Sequence, residues 1–207
     1  MQALRERIRT GRIVPGQRLR VDELTRELGM SPTPIREALR LLQADGLVDY
    51  RAHHGIVVTE VSARQTSEVY RLRLLLEPRA VEIAVRKMTP LLLEELERLH
   101  ERHATAVNSK RGSAISERNW AWHWAIYDAS ESPILIDFLR RLWEAFPWRT
   151  MWTLPGRTTL SLEQHAVIME EIRVGDARRA ASKMYEHIAS GEETLLLHLQ
   201  RELAASS

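Results

Sequence analysis

One short segment carries polar residues whose types and spacing suit contact with DNA. Its apolar residues lie at helical spacing and are Ile35, Ala38, Leu39 and Leu42. Arg36, Arg40 and Gln43 fall on another face of the same helix, where guanidinium and amide groups can bind phosphates and base edges. We expect Thr33 to cap this helix and Pro34 to stand at its first position. The layout is typical of a DNA-recognition helix.

Further candidates for DNA contact flank this helix. Two arginines precede it and a short polar turn follows it, suited to the minor groove or the DNA backbone. With Thr33 at the helix start, these candidates are Arg18, Arg20, Arg51, His53 and Gly55. Glu37 is excluded because a carboxylate repels phosphate, and we expect it to stabilise the first turn or orient a neighbouring arginine.

A second set of residues has the chemistry of metal ligands. Asn119 and His123 are four residues apart, on one face of a helix. His165 and His187 stand ten and twelve residues from Gly175, so antiparallel helices meeting there would hold them at similar height. Three imidazoles and an oxygen donor inside a helical bundle can bind a divalent metal. The chain has eight histidines, so this spacing alone is a weak indication.

Residues that typically start or end helices, together with short strand-like runs, divide the chain into two predicted domains. Residues 1–61 contain three helical segments and two short β-branched runs around a glycine-containing turn, which predicts a winged helix-turn-helix. Residues 62–207 lack strand signals and predict an all-α bundle of about six helices, with Pro78 as a kink in the first. The fold class is therefore mainly α.

Composition excludes several classes of protein. The 207 residues are 44% hydrophobic and 28% charged, and no apolar run is long enough to span a bilayer. There is no cysteine, which excludes disulfides, thiolate metal sites and cysteine nucleophiles. The formal net charge is only +2, yet every basic residue of 1–62 is an arginine, which suits bidentate contact with phosphate or guanine. No signal-peptide pattern opens the chain, and we expect a cytoplasmic protein with no membrane partner.

The first domain resembles the DNA-binding domain of the GntR family. The order and spacing of its motifs match across residues 1–61, and the motifs lie at 15–19, 23–24, 31–39, 45–48 and 55. One departure is Pro32, where many relatives have an arginine, so that a base contact made there in relatives is not available here. The resemblance implies that the chain binds double-stranded DNA.

The second domain resembles the ligand-sensing FCD domain of the FadR-type branch of that family. The matching motifs lie at 70–77, 119–123, 163–165 and 186–187. The resemblance implies a divalent transition metal, Zn, Ni or Mn, and its ligands would be Asn119, His123, His165 and His187. Relatives commonly carry Asp where Asn119 stands, so a fully neutral ligand set is expected to attract an anionic effector more strongly.

Arg73 is the expected effector-binding residue, since its guanidinium can bind a carboxylate bidentately. The alternative is an ion pair with Glu77, four residues further along the helix. The six tryptophans either pack the core and a dimer interface or line the effector cavity. The remaining histidines are expected on the surface or the wing, and they are His53, His54, His100, His103 and His198.

These features together predict a transcription regulator rather than an enzyme. We expect a homodimer on a pseudo-palindromic operator, controlled by a small organic acid bound in the helical domain. A metal-responsive sensor is one alternative. A metal-dependent enzyme is another, although no motif such as His-Glu-x-x-His accompanies the histidines.

Overall fold

The computed structural model describes residues 2–9, 13–14, 16–51, 54–59, 63–109, 112–144 and 149–205. The chain divides into two compact units. One comprises Met1–Ser62 with Glu144–Arg149, and the other comprises Ala63–Trp143 with Thr150–Ser207. The predicted fold class is confirmed, because the described elements are helices apart from three short strands in the first unit.

The first unit is a winged helix-turn-helix. In chain order its elements are α1 (Gln2–Arg9), β1 (Arg18–Leu19), α2 (Val21–Leu28), α3 (Pro32–Ala44), β2 (Val48–Arg51) and β3 (Gly55–Val58). The strands form one antiparallel sheet in the order β1-β3-β2. The β2–β3 hairpin was expected, whereas the sequence pattern did not predict β1.

Helix α3 buries the predicted apolar stripe. Ile35, Ala38, Leu39 and Leu42 are its buried residues, and they join the core of this unit. The helix begins at Pro32 with Ser31 as its N-cap, so the predicted cap at Thr33 is wrong. Proline fits the first turn because no backbone donor is needed there, which lets the helix start two residues earlier.

The second unit is built from helices. They are α4 (Ala63–Arg86), α5 (Pro90–Asn108), α6 (Gly112–Asp128), α7 (Pro133–Glu144), α8 (Arg149–Thr153), α9 (Arg157–Val174) and α10 (Ala177–Ala205). Helix α4 packs along α10, α5 packs against α6 and α9, and α9 packs against α10. The described part thus holds one helix more than expected, the five-residue α8. Helix α4 continues through Pro78, where the sequence predicted a kink.

Polar caps and glycines set the limits of these helices. The Thr89 hydroxyl accepts a hydrogen bond from the Leu92 amide at the start of α5. Gly175 ends α9 in the left-handed conformation, with φ of 79°, and the Asp176 carboxylate accepts from the Arg179 amide to cap α10. The expectation that two helices meet at Gly175 is confirmed. Across the described residues, every helix is too short or too polar to cross a bilayer.

Candidate functional site

Three buried histidines from different helices meet in the second unit. His123 of α6, His165 of α9 and His187 of α10 each offer one ring nitrogen, and these atoms lie within 4.8 Å of one another. The Nε2 atoms of His165 and His187 are 3.4 Å apart. Two nitrogens that bind one Zn²⁺ at about 2.1 Å would stand at roughly this separation. The short α9–α10 turn holds the two rings at one height, as the spacing predicted.

A buried chain of hydrogen bonds orients His123. Its Nδ1 lies 2.9 Å from the Tyr127 hydroxyl, and that hydroxyl donates to Glu77 Oε2. A phenol has one proton. Because the Tyr127 hydroxyl donates this proton in its hydrogen bond to Glu77, its oxygen accepts from Nδ1–H of His123. The Nε2 lone pair is then left available to a metal, because one nitrogen of a neutral imidazole carries the proton and the other does not.

Gln164 orients His187 in the same way. Its Oε1 lies 2.9 Å from Nδ1 of His187, and an amide oxygen only accepts, so Nδ1 carries the proton. The Nε2 atom of His187 therefore keeps its lone pair. Such outer partners commonly fix the tautomer of metal-binding histidines.

The charge state and an unsatisfied oxygen both suit a divalent ion. Burial lowers the pKa of His123, His165 and His187 well below the ordinary value of 6.5, so all three rings are neutral at pH 7. Asn119, one turn before His123 on α6, is buried, and its Oδ1 has no hydrogen-bond partner among the described residues. Buried oxygens are normally satisfied, so these four residues fit a metal site.

His103 borders this cluster, and the expectation that it lies on the surface is wrong. The residue is fully buried on α5, with its ring centroid 5.2 Å from that of His165. Burial lowers its pKa to about 4, and neither ring nitrogen has a hydrogen-bond partner within the described structure. His100 is half-buried, with its ring 6.5 Å from Trp122. Helix α5 thus packs two histidines against the residues of this cluster.

Arg73 is buried and paired with Glu77, as the ion-pair alternative described. Its Nε donates to Glu77 Oε1, and its Nη2 lies 3.3 Å from Oε2. Glu77 also accepts from Trp143 Nε1 at 2.9 Å and from the Tyr127 hydroxyl. The charge of Arg73 is thereby matched within the protein, which leaves it a weaker candidate for binding an effector.

Tryptophans pack directly against the histidines. The Trp122 ring stacks on His165 with centroids 4.0 Å apart, and Trp143 lies 5.1 Å from His123. Trp122 and Trp124 are buried while Trp120 is half-buried. Two of the six tryptophans thus pack on the histidine cluster.

The first unit carries the candidate DNA-binding face. Apart from the half-buried Gly55, its described members are exposed, and they are Arg18, Arg20, Thr33, Arg36, Arg40, Gln43 and Arg51. Glu37 Oε2 lies 3.6 Å from Arg40 Nη1, which agrees with the prediction that Glu37 orients a neighbouring arginine.

Arg18 and the wing form one surface. Gly55 adopts φ of 75°, and a Cβ there would lie 3.7 Å from Arg18 Nε. The β1–β3 pairing thus places this guanidinium against the turn of the wing. The candidate His53 lies outside the described residues.

Comparison with known proteins assigns both units. The family model for the FCD domain matches residues 68–190, and the model for bacterial regulatory proteins of the gntR family matches residues 1–58. The chain belongs to the GntR family and carries an FCD domain. The FCD match includes His123, His165 and His187, and the gntR match includes all the DNA-binding candidates.

Individual GntR-family regulators are similar along much of the chain. The HTH-type transcriptional regulator McbR of Escherichia coli K12 is 36% identical over 68% of this chain and 63% of its own length, which is less than two thirds. An uncharacterized regulator of Bacillus subtilis, YdhC, is 28% identical over 89% of this chain and 84% of its own. The solved structure of E. coli McbR/YncC superposes with a TM-score of 0.79 at 28% identity, covering 98% of this chain and 95% of that one. Like these relatives, the protein is a transcription regulator of the GntR family, with a DNA-binding domain and an FCD domain.

Four residues around the histidine cluster were given no role there from the sequence. They are Glu77, His103, Tyr127 and Gln164. Two signals were available, since Tyr127 stands four residues after His123 and Gln164 precedes His165. No comparable signal marked His103, which is brought to the pocket by the packing of α5 on α9.

Proposed function

We propose that this regulator binds a pseudo-palindromic operator as a homodimer and that a small organic acid, held at a metal ion in the FCD domain, controls that binding. The observation that carries the proposal is the convergence of three neutral ring nitrogens, from His123, His165 and His187, in one buried cluster. The tautomers of His123 and His187 are set by Tyr127 and Gln164, so that the Nε2 lone pairs of these two rings remain available.

Asn119, His123, His165 and His187 would hold the ion. Imidazole suits Zn²⁺ and Ni²⁺, and an amide oxygen also suits Mn²⁺. All four donors are neutral, so a bound divalent ion would keep its full charge and supply an electrostatic partner for a carboxylate. Trp122 and Trp143, packed on the histidines, would exclude water from that pair and thereby strengthen it.

The operator would be read mainly by α3. Arg36, Arg40 and Gln43 are exposed on another face of α3 than the buried stripe and can reach base edges in the major groove. Arg18, Arg20, Thr33, Arg51, His53 and Gly55 would contact the backbone or the minor groove on either side. An arginine-rich face also supplies the phosphate neutralisation on which DNA affinity depends.

A metal-responsive sensor is the second candidate function. It is favoured by the burial of all three histidines, because the ion itself would then complete the packing of the domain. In that case the metal alone would change operator affinity, and no organic ligand would be needed.

Operator selection tests the DNA half of the proposal. Full-length, Zn²⁺-loaded protein would be used to select sites from a random duplex library, and two half-sites related by a two-fold axis are expected. Arg40→Ala should weaken binding to the selected site by about 1–3 kcal/mol and relax its preference at one position. Arg98→Ala, at an exposed arginine of α5, is the matched control. Unchanged affinity of Arg40→Ala would contradict the assignment.

Zn²⁺ titration tests the metal half. His187→Ala should lose tight Zn²⁺ binding, whereas His198→Ala should keep it, since His198 lies eleven residues further along α10, about 16 Å away. Small carboxylates are then added to the Zn²⁺-loaded protein bound to its operator. Release or tightening by a carboxylate supports the proposal, and regulation by Zn²⁺ alone supports the sensor instead.

A further inference from the structure

Arg157 is a buried cation that the proposed mechanism leaves unused. It is the first residue of α9, and only 3% of it is exposed. Its Nη1 contacts two neutral acceptors, Gln164 Oε1 at 3.3 Å and Ser190 Oγ at 3.5 Å. Its Nε has no partner, and within the described structure no carboxylate forms an ion pair with it.

The two buried arginines of the FCD domain therefore differ. Arg73 is matched by Glu77, whereas Arg157 keeps an uncompensated charge, and burial lowers its pKa. An unpaired buried guanidinium is costly because it loses hydration without gaining a counter-ion. An anion that entered beside Arg157 would remove that cost and form charge-assisted hydrogen bonds with it.

Gly191 allows a second polar group to approach the same place. A Cβ at this position would lie 3.4 Å from Arg157 Nη2 and 3.3 Å from the Tyr70 hydroxyl. Gly191 lies inside α10 and has no positive φ, so the helix itself does not require glycine there. Glycine inside a helix is less stable than alanine, and its evident effect here is to let both groups reach the surface of α10.

A single residue, Gln164, lies between Arg157 and the histidine cluster. Gln164 Oε1 contacts Nη1 of Arg157 on one side and Nδ1 of His187 on the other. An anion at Arg157 would therefore lie next to the proposed metal without occupying the coordination position of His187.

We propose that Arg157 and Tyr70, brought together at Gly191, form the anion subsite that binds a carboxylate of the effector, in place of Arg73. The inference rests on the proposed function, because it names the group that recognises the effector in that pocket. It also makes the subsite separate from the metal, so that an effector with two carboxylates could use both.

Carboxylate binding to metal-free protein tests the subsite. Full-length protein is stripped with EDTA, exchanged into Hepes buffer, and titrated with acetate, malonate, succinate or inorganic phosphate while Tm is recorded. Saturable stabilisation of the wild type by a carboxylate is expected. Arg157→Gln should weaken that binding at least about tenfold, the loss expected for a charged hydrogen bond. Arg178→Gln, at an exposed arginine of α10, should bind as the wild type does.

Gly191→Ala keeps the charge of Arg157 but narrows the space beside Arg157 and Tyr70, so it should also weaken carboxylate binding. This variant replaces Arg157→Gln in the test if Arg157→Gln does not fold. Zn²⁺ titration of Gly191→Ala should match the wild type, so a failure of the metal proposal is seen separately. The inference is overturned if no carboxylate stabilises the wild type, if Arg157→Gln or Gly191→Ala responds as the wild type does, or if phosphate binds more tightly than every carboxylate.

Discussion

Tyr127 determines which nitrogen of His123 is available to a metal. The hydroxyl donates its single proton in a hydrogen bond to Glu77, so its oxygen accepts from Nδ1–H of His123. The Nε2 atom of His123 is then unprotonated. The interaction has a cost of its own, because it needs a buried carboxylate that Arg73 must neutralise. Three helices, α4, α6 and α7, supply the residues around this carboxylate.

Removing this hydroxyl should weaken the metal site without removing a ligand. Tyr127→Phe is expected to reduce Zn²⁺ affinity about 10–100-fold, the range seen when an outer partner of a metal-binding histidine is lost. Competition calorimetry with a chelator of known affinity measures the change. Tyr185→Phe, at a half-exposed tyrosine of α10, is the control and should leave affinity unchanged. Equal affinity in the two variants would mean that Tyr127 does not orient His123.

At the level of elements, α3 presents the candidate DNA-contacting side chains on one face and packs into the core of the winged helix with another. Leu42 is fully buried and Leu41, its neighbour, is 43% exposed. Leu42→Ala should therefore lower the free energy of unfolding of this unit by about 2–5 kcal/mol, and Leu41→Ala should change it by about 0.5 kcal/mol or less. Urea unfolding followed by far-UV circular dichroism compares the two. Similar losses in both variants would show that α3 is not anchored by this stripe.

The sequence predicts the elements that carry their own local signal. Helix α3 and the α9–α10 turn are marked by apolar periodicity, a proline and a glycine, and the structure has both. Strand β1 has only two residues and is held by pairing with β3, so no alternation can reveal it. The five-residue α8 is likewise too short for a periodic pattern.

The residues of the candidate site likewise fall into those with a local sequence signal and those without one. The three histidines of the candidate metal site could be proposed from spacing about Gly175 and from the family resemblance. The partners that tune them were not foreseen, because Glu77 and His103 reach the pocket from α4 and α5, far away in sequence. Arg157 shows the same limit, since only the packed structure reveals that it lacks a counter-ion among the residues described.

For the whole molecule, metal and operator should influence each other equally. If Zn²⁺ changes operator affinity by some factor, the operator must change Zn²⁺ affinity by the same factor, because the two form a thermodynamic cycle. Operator affinity is measured with and without Zn²⁺, and Zn²⁺ affinity with and without the selected duplex. A scrambled duplex is the control. Factors of one in both directions would show that the metal supports the fold but transmits no signal.

The Gly175–Asp176 turn makes the proposed metal site sensitive to a change in chain length. Each helical residue rotates the chain by about 100°, and this turn alone separates α9 from α10. One inserted residue would swing His187 to another side of its helix, while His165 stayed in place. The length of this loop is therefore as strict a requirement for metal binding as the identity of either histidine, and natural variants that differ there should have lost the site even where both histidines survive.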